Sequence, residues 1–133
     1  MIKKIIIADD SATARMIIKR CLEIAGLFDV QMIEANDGQE ALNLAKENQP
    51  DLLITDLNMP NMDGRTLLKH VKASPRLNSM PVLVISSASN EAMEKELVEL
   101  GAFAVVNKPI TPTSVSKALQ NIMEEDNQEN QWG

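Results

Sequence analysis

The sequence of 133 residues has one cysteine, one tryptophan, two phenylalanines and no tyrosine. The single cysteine, Cys21, excludes an internal disulfide framework and indicates a reducing compartment. Glycine is absent from the first predicted strand–helix turn, where Asp9, Asp10 and Ser11 stand instead. A dinucleotide site would place glycines there, and two carboxylates would repel a pyrophosphate. These absences argue against disulfide-stabilised and dinucleotide-binding proteins.

Long apolar runs and basic clusters are missing too. No apolar run approaches the roughly 20 residues that span a bilayer, and no signal-peptide pattern opens the chain. The net charge of −6 argues against a surface for nucleic acid or anionic lipid. Hydrophobic residues at 44% and charged residues at 24% are ordinary globular values. We therefore expect a cytoplasmic, soluble, single-domain protein that binds neither nucleic acid nor membrane.

Short apolar runs alternate with longer amphipathic segments along the whole chain. The apolar runs predict strands, and the amphipathic segments predict helices, two of them capped by Asp37 and Asn90. In the first predicted helix, Arg15 and Lys19 are expected to face solvent. The strands are expected at 4–8, 31–34, 51–56, 82–86 and 103–106, and the helices at about 14–25, 37–48, 64–73, 90–100 and 112–123. Five strands and five helices in strict alternation predict an α/β fold with one doubly wound parallel sheet.

Residues 124–133 show no periodicity and carry four acidic side chains. We expect an acidic, disordered tail there, after a domain that spans residues 1–123.

Polar side chains stand at the carboxyl ends of four predicted strands. Asp9 and Asp10 follow strand one, Asp56 ends strand three, Ser86 ends strand four, and Lys108 follows strand five. In a parallel sheet these ends share one edge, where open α/β folds bind ligands. Three carboxylates repel one another unless a cation or proton offsets the repulsion, and Mg²⁺ prefers such oxygen ligands. The pattern predicts a phosphoryl site with Asp56 as nucleophile and with Ser86 and Lys108 facing the phosphoryl oxygens.

These residues lie in segments that resemble the response-regulator receiver domain of the stand-alone chemotaxis type. The likeness covers residues 1–123 and is carried by residues 9–11, 34–42, 56–64, 81–86 and 108–109. It implies a flavodoxin-like sheet with strand order 2-1-3-4-5. It also implies that Asp56 accepts a phosphoryl group from a sensor histidine kinase, and that Mg²⁺ is held by Asp9, Asp10, Asp56 and the backbone carbonyl of Asn58.

The resemblance further assigns a switch. It implies that Lys108 pairs with the phosphoryl oxygens, that Ser86 is the hydroxyl that moves toward the phosphate, and that the Lys108–Pro109 peptide bond is cis. Strands four and five with the last helices would present the surface that binds a downstream protein target, in a monomer with a phosphorylation-dependent dimer left open. Val105 departs from the pattern, because chemotaxis members usually carry an aromatic two-state residue there.

Three functions remain open at this point. The leading one is a signalling protein of the two-component type, which is not an enzyme beyond assisting its own phosphorylation and dephosphorylation. The others are a receiver-fold binding module that accepts no phosphate and a Mg²⁺-dependent phosphatase with an aspartyl nucleophile. The phosphatase is disfavoured because Asn58 stands where that class has its acid–base aspartate.

Overall fold

The computed structural model describes residues 2–87 and 90–132, with side chains as far as Ile122. Strands and helices alternate strictly along the chain. They are β1 Lys4–Ala8, α1 Ala12–Ile24, β2 Gln31–Ala35, α2 Gly38–Asn48, β3 Leu52–Asp56, α3 Gly64–Ala73, β4 Val82–Ser86, α4 Glu91–Glu99, β5 Ala104–Asn107 and α5 Pro112–Trp132.

The strands form one parallel sheet in the order β2-β1-β3-β4-β5, which confirms the predicted fold class. Strands β3 and β4 are buried at every residue, because helices cover both faces of the sheet. The register pairs Asp56 with Ile85 and Ser86 with Asn107. The carboxyl ends of β3, β4 and β5 therefore stop nearly level with one another, at the edge where the candidate site lies.

Two hydrophobic cores lie on opposite faces of the sheet. Because side chains alternate along a strand, Leu53 joins the core under α2, α3 and α4 while Leu52 and Ile54 join the core under α1 and α5. Burying apolar side chains stabilises the fold by about 1.5–3 kcal/mol for each large side chain. The sheet is thus a fixed platform for the loops at its carboxyl edge.

All five described helices begin at that edge with a capping side chain. The hydroxyl, carboxylate or amide oxygen of the residue before each helix accepts a hydrogen bond from the backbone N–H three residues later, at 2.8–3.2 Å; these residues are Ser11, Asp37, Asp63, Asn90 and Thr111. The capping prediction for Asp37 and Asn90 is confirmed. Each cap satisfies a backbone donor that the helix itself leaves without a partner.

Strand β5 begins and ends one residue later than predicted, at Ala104 and Asn107, because its pairing with β4 continues to Ser86 and Asn107. The Lys108–Pro109 peptide bond is cis, as predicted.

The bounds of α5 extend past 123 to Trp132. The side chains from 123 onward lie outside the described residues, so the tail over 124–133 stays a prediction. Among the described helices, none has the length and apolar character needed to cross a bilayer.

Candidate functional site

Three aspartates meet where β1 and β3 end. These strands are neighbours, and the pairing of Ala8 with Thr55 brings the residues that follow β1 beside the end of β3. One carboxylate oxygen from each of Asp9, Asp10 and Asp56 lies within 4.8 Å of the others. Asp9 is 1% exposed and Asp56 is 7% exposed, whereas Asp10 faces solvent. The structure therefore brings together the three carboxylates that the sequence pattern singled out.

Lys108 places an ammonium group against two of these carboxylates. Its Nζ lies 3.3 Å from Oδ2 of Asp9 and 3.2 Å from Oδ1 of Asp56. The backbone N–H of Lys108 donates to the carbonyl of Ser86 at 2.9 Å, which anchors the start of the β5–α5 loop to the end of β4. The lysine is thus held by its backbone, and its charge bridges β1 and β3.

The pKa values of this pair follow from burial and charge. Burial raises the pKa of Asp56, the neighbouring Asp9 carboxylate raises it further, and the Lys108 ammonium opposes both. Burial acts to lower the pKa of Lys108, but the carboxylates of Asp56 and Asp9 outweigh it and the pKa is raised. The cluster therefore retains unfavourable negative charge that the single ammonium only partly offsets.

A divalent cation fits this donor set. Carboxylate oxygens are the ligands of hard cations, and Mg²⁺ keeps several water molecules, which the exposed side of the cluster at Asp10 can accommodate. The repulsion that raises the pKa of Asp56 is what such a cation would relieve. Asn58 lies two residues beyond Asp56 in the β3–α3 loop with its side chain exposed. The role of its carbonyl as a ligand stays a prediction.

Ser86 ends β4 and is 1% exposed. Its hydroxyl Oγ lies 3.9 Å from Sδ of Met93, in the first turn of α4. Its carbonyl accepts the hydrogen bond from Lys108 described above, so Ser86 is tied to the same strand ends as the acidic cluster. Its role as a switch hydroxyl stays a prediction.

The prediction that Arg15 faces solvent is wrong. The sequence pattern placed it on the solvent face of α1, but its side chain is only 12% exposed. Its Nη1 donates to the backbone carbonyl of Asp9 at 2.6 Å, and its Nε donates to Oε1 of Glu34 at 2.9 Å. This hydrogen bond lowers the pKa of Glu34. Arg15 therefore braces the segment that carries Asp9, which helical periodicity alone does not indicate.

Two glycines hold the loop after β3 against its neighbours. A Cβ on Gly64 would lie 2.3 Å from the carbonyl oxygen of Asp56, and a Cβ on Gly38 would lie 2.3 Å from the carbonyl oxygen of Met62. Any other residue would force these backbones apart. The Nδ2 of Asn61 also donates to Asp37 at 2.8 Å, so the start of α2 helps to position the loop. The sequence places both glycines at the starts of predicted helices but does not show what they touch.

A cavity of about 420 Å³ opens beside Lys108, between α1 and the β5–α5 loop. Its walls are mainly apolar and include Ile17 and Ile18 on one side and Pro109 and Ile110 on the other. The candidate site is therefore bordered by an apolar surface next to the ammonium group of Lys108.

A family model described as the response regulator receiver domain matches residues 5–120. The chain belongs to the receiver-domain family. It is 36% identical over 121 residues to Chemotaxis protein CheY-3 of Vibrio cholerae, a match covering 91% of this chain and 92% of that protein. It is 35% identical to a Chemotaxis protein CheY homolog of Campylobacter jejuni, covering 90% of this chain and 92% of that protein.

A solved receiver confirms the likeness in three dimensions. The chemotaxis response regulator CheY4 of Vibrio cholerae superposes on this receiver with a TM-score of 0.80 at 29% identity, over 92% of this chain and 99% of that one. The predicted resemblance and the five-stranded order are therefore confirmed, and the chain is a signal-transduction protein of the two-component type.

Proposed function

We propose that this receiver accepts a phosphoryl group on Asp56 from a sensor histidine kinase, with Mg²⁺ held by Asp9, Asp10, Asp56 and the carbonyl of Asn58. The observation that carries the proposal is the position of Lys108, whose Nζ lies within 3.3 Å of both Asp9 and Asp56. An ammonium beside the acceptor oxygen can neutralise the phosphoryl oxygens as they arrive, which is what a phosphoryl-transfer site requires.

The transfer follows from the arrangement of these side chains. A carboxylate oxygen of Asp56 forms a bond to phosphorus while the bond from phosphorus to the kinase histidine nitrogen breaks, and that nitrogen keeps the electron pair. Burial at the end of β3 holds Asp56 in one orientation for in-line attack. Lys108 shifts from pairing with the carboxylates to pairing with phosphoryl oxygens. When bound, Mg²⁺ supplies further positive charge to the acceptor and the phosphoryl oxygens.

The cavity beside Lys108 supports a protein as the phosphodonor. Its apolar walls on α1 and the β5–α5 loop adjoin Lys108, which pairs with Asp56, so a partner that presents a histidine could bury apolar side chains there. Met16 and Ile17 extend an exposed apolar surface along α1 next to it. Docking on this face would bring a donor histidine to the open side of the site.

Ser86 would respond to the new charge by turning its hydroxyl toward the phosphoryl group. That movement would change the surface formed by β4, β5 and the last helices, which binds the downstream protein target. Similarity to the Chemotaxis proteins of Vibrio cholerae and Campylobacter jejuni supports a chemotaxis pathway and a cytoplasmic location. In this proposal the receiver is a monomer, a phosphorylation-dependent dimer being left open, and the domain is residues 1–123.

Backbone-amide NMR with Mg²⁺ and beryllofluoride, a mimic of the aspartyl phosphate, tests the proposal. We expect Mg²⁺ alone to shift amides near Asp9 and Asp56, and beryllofluoride to spread the shifts to Ser86 and β5. Asp56→Asn should lose the beryllofluoride response. Asp63→Asn is the matched control, because Asp63 lies at the same edge but outside the acidic cluster; it should respond like the wild type.

The remaining outcomes separate the alternatives. Mg²⁺ shifts without a beryllofluoride response would leave a metal site and overturn the phosphoacceptor role. No response to either would indicate a binding module with a receiver fold. Steady release of phosphate from small phosphate esters, lost in Asp56→Asn, would instead indicate a phosphatase.

A further inference from the structure

The hydroxyl of Ser86 contacts a methionine on the neighbouring helix. Oγ of Ser86 lies 3.9 Å from Sδ of Met93, and both residues are largely removed from solvent. Met93 is the third residue of α4, and its backbone N–H donates to the capping Oδ1 of Asn90 at 2.9 Å. Met93 is therefore anchored by its backbone in the first turn of α4, with its thioether beside the hydroxyl of Ser86.

Met93 and Val105 share one face of the sheet. Val84 lies in the core under α2, α3 and α4, and side-chain alternation along β4 directs Ser86 to the same face. Val105 pairs with Val84 in the sheet, and both Val105 and Met93 pack against that core. Val105 is short and branched at Cβ, so it has few rotamers available. Met93, by contrast, is a flexible side chain in contact with Ser86 on this face.

We infer that Met93 is the positioning residue that couples the hydroxyl of Ser86 to helix α4. The inference rests on the proposed function, in which Ser86 turns toward a phosphoryl group on Asp56. To do so, Oγ of Ser86 leaves Sδ of Met93, and the methionine repacks into the space that the hydroxyl vacates. Methionine has three rotatable bonds and a polarizable sulfur, so it can fill an altered gap at small energetic cost.

The route through Met93 differs from a switch based on rotation of a strand residue. Here the moving side chain belongs to α4 itself, so its new rotamer shifts the first turn of the helix without any change in β5. Glu91 and Glu94 lie on either side of Met93 and give this turn two acidic side chains. The part of the surface that changes most is therefore the start of α4, rather than the exposed face of β5.

The test uses protein labelled with ¹³C at the methionine methyl groups, titrated with Mg²⁺ and beryllofluoride. The chain has eight methionines, and the Met93 signal is assigned by its absence from Met93→Leu. We expect the Met93 methyl to shift in the wild type and to stay unshifted in Ser86→Ala. Amides of α4 should shift in the wild type and in Met93→Leu, which keeps the apolar volume, but fall below about half the wild-type change in Met93→Ala.

Met80→Ala is the matched control for a general loss of packing. Met80 is buried in the same core but lies just before β4, at the opposite edge of the sheet from Ser86. Its truncation should leave the α4 response intact. Equal losses in Met80→Ala and Met93→Ala would overturn the inference, because the effect would then be loss of core volume.

Two further results would overturn it. In one, the Met93 methyl does not shift although amides around Asp56 respond to beryllofluoride. In the other, α4 responds in Met93→Ala as fully as in the wild type. Failure of the proposed function looks different, since wild-type amides around Asp56 would then ignore beryllofluoride; that result would overturn the coupling together with the phosphoacceptor role.

Discussion

Asp56 and Asp63 lie on either side of one loop and at the same edge of the sheet, yet their carboxyl groups are perturbed in opposite directions. Asp63 caps α3, and the hydrogen bond from the backbone N–H of Thr66 lowers its pKa. Asp37 caps α2, and the backbone N–H of Glu40 lowers its pKa in the same way. Asp56 ends a buried strand, where burial and Asp9 raise its pKa.

The opposite pKa shifts show that aspartate has two different roles at this edge of the sheet. The capping aspartates are stabilised as carboxylates by backbone donors, so their charge favours the folded chain. The charge of Asp56 is disfavoured by its surroundings and lowers stability until positive charge arrives. The excess negative charge at the strand end is therefore what a bound cation would relieve. Four predictions test the contrast, in order of decreasing effect.

The largest effect is expected for Asp56→Asn, which should abolish phosphorylation by a cognate kinase or a small phosphodonor. Intact-protein mass spectrometry would detect the missing phosphoryl group. Because the pKa of Asp56 is raised by folding, its contribution to stability is fully present below the unfolded pKa of about 4 and is lost as pH rises through the folded pKa. The variant should therefore gain stability relative to the wild type as pH rises in Mg²⁺-free buffer.

Urea unfolding across that pH range measures this gain. A wild type that becomes more stable than Asp56→Asn as pH rises, without Mg²⁺, would contradict the view that the acceptor carboxylate is destabilising. Asp63→Asn should show the opposite trend with pH and serves as the control.

Gly64→Ala should reduce the free energy of unfolding by about 3 kcal/mol, because the new Cβ would overlap a backbone oxygen. That oxygen is the carbonyl of Asp56, 2.3 Å away. The change also pushes the acceptor away from Asp9, so the affinity for Mg²⁺ should fall. Chemical denaturation and a Mg²⁺ titration measure the two effects.

Gly26→Ala controls for backbone strain alone. Gly26 has φ of +109° but no atom within 4 Å of a built Cβ. We expect a loss of about 1–2 kcal/mol there and unchanged Mg²⁺ affinity. Equal Mg²⁺ affinities for Gly64→Ala and the wild type would show that the close approach of Gly64 does not position Asp56.

Asp37→Ala should cost about 1 kcal/mol of stability at neutral pH through loss of the cap of α2. Folding lowers the pKa of Asp37, so its contribution is present above the unfolded pKa of about 4 and is lost as pH falls through the folded pKa. The difference from the wild type should therefore shrink in acid. Asp37→Asn keeps an acceptor for the Glu40 N–H and should lose less. A cost that grows in acid would contradict the capping account.

Lys19→Ala should have the smallest effect, about 0.5 kcal/mol or less, since its pair with Glu34 is 3.6 Å long and both side chains are over a third exposed. Glu34 also accepts a shorter hydrogen bond, at 2.9 Å, from Arg15, whose side chain is only 12% exposed. Arg15→Ala should cost more and should weaken Mg²⁺ binding through Asp9. Thermal unfolding of both variants tests this ranking, which equal losses would contradict.

Physical rules that act over short stretches made much of this protein predictable. The continuous apolar run before Asp56 predicts a strand buried on both faces, and Asp37 with Glu40 predicts a helix start; both are observed. Because parallel strands expose their carboxyl ends at one edge, the sequence also predicted which of Asp9, Asp10, Asp56 and Lys108 would come together. Periodicity is a local property, and the strict alternation of strands and helices favours a parallel sheet, so both could be deduced from the sequence.

Contacts between elements were decided only by the tertiary structure. Arg15 is drawn away from solvent because the carbonyl of Asp9, just after β1, and the carboxylate of Glu34 in β2 both accept hydrogen bonds from it. Met93 contacts Ser86 because the fold brings the first turn of α4 to the end of β4. The opposite pKa shifts of Asp56 and Asp63 likewise depend on which atoms surround each carboxyl group. Residue types and spacing specify where the carboxylates are, whereas burial and neighbouring charge, which exist only in the folded chain, determine what each of them does.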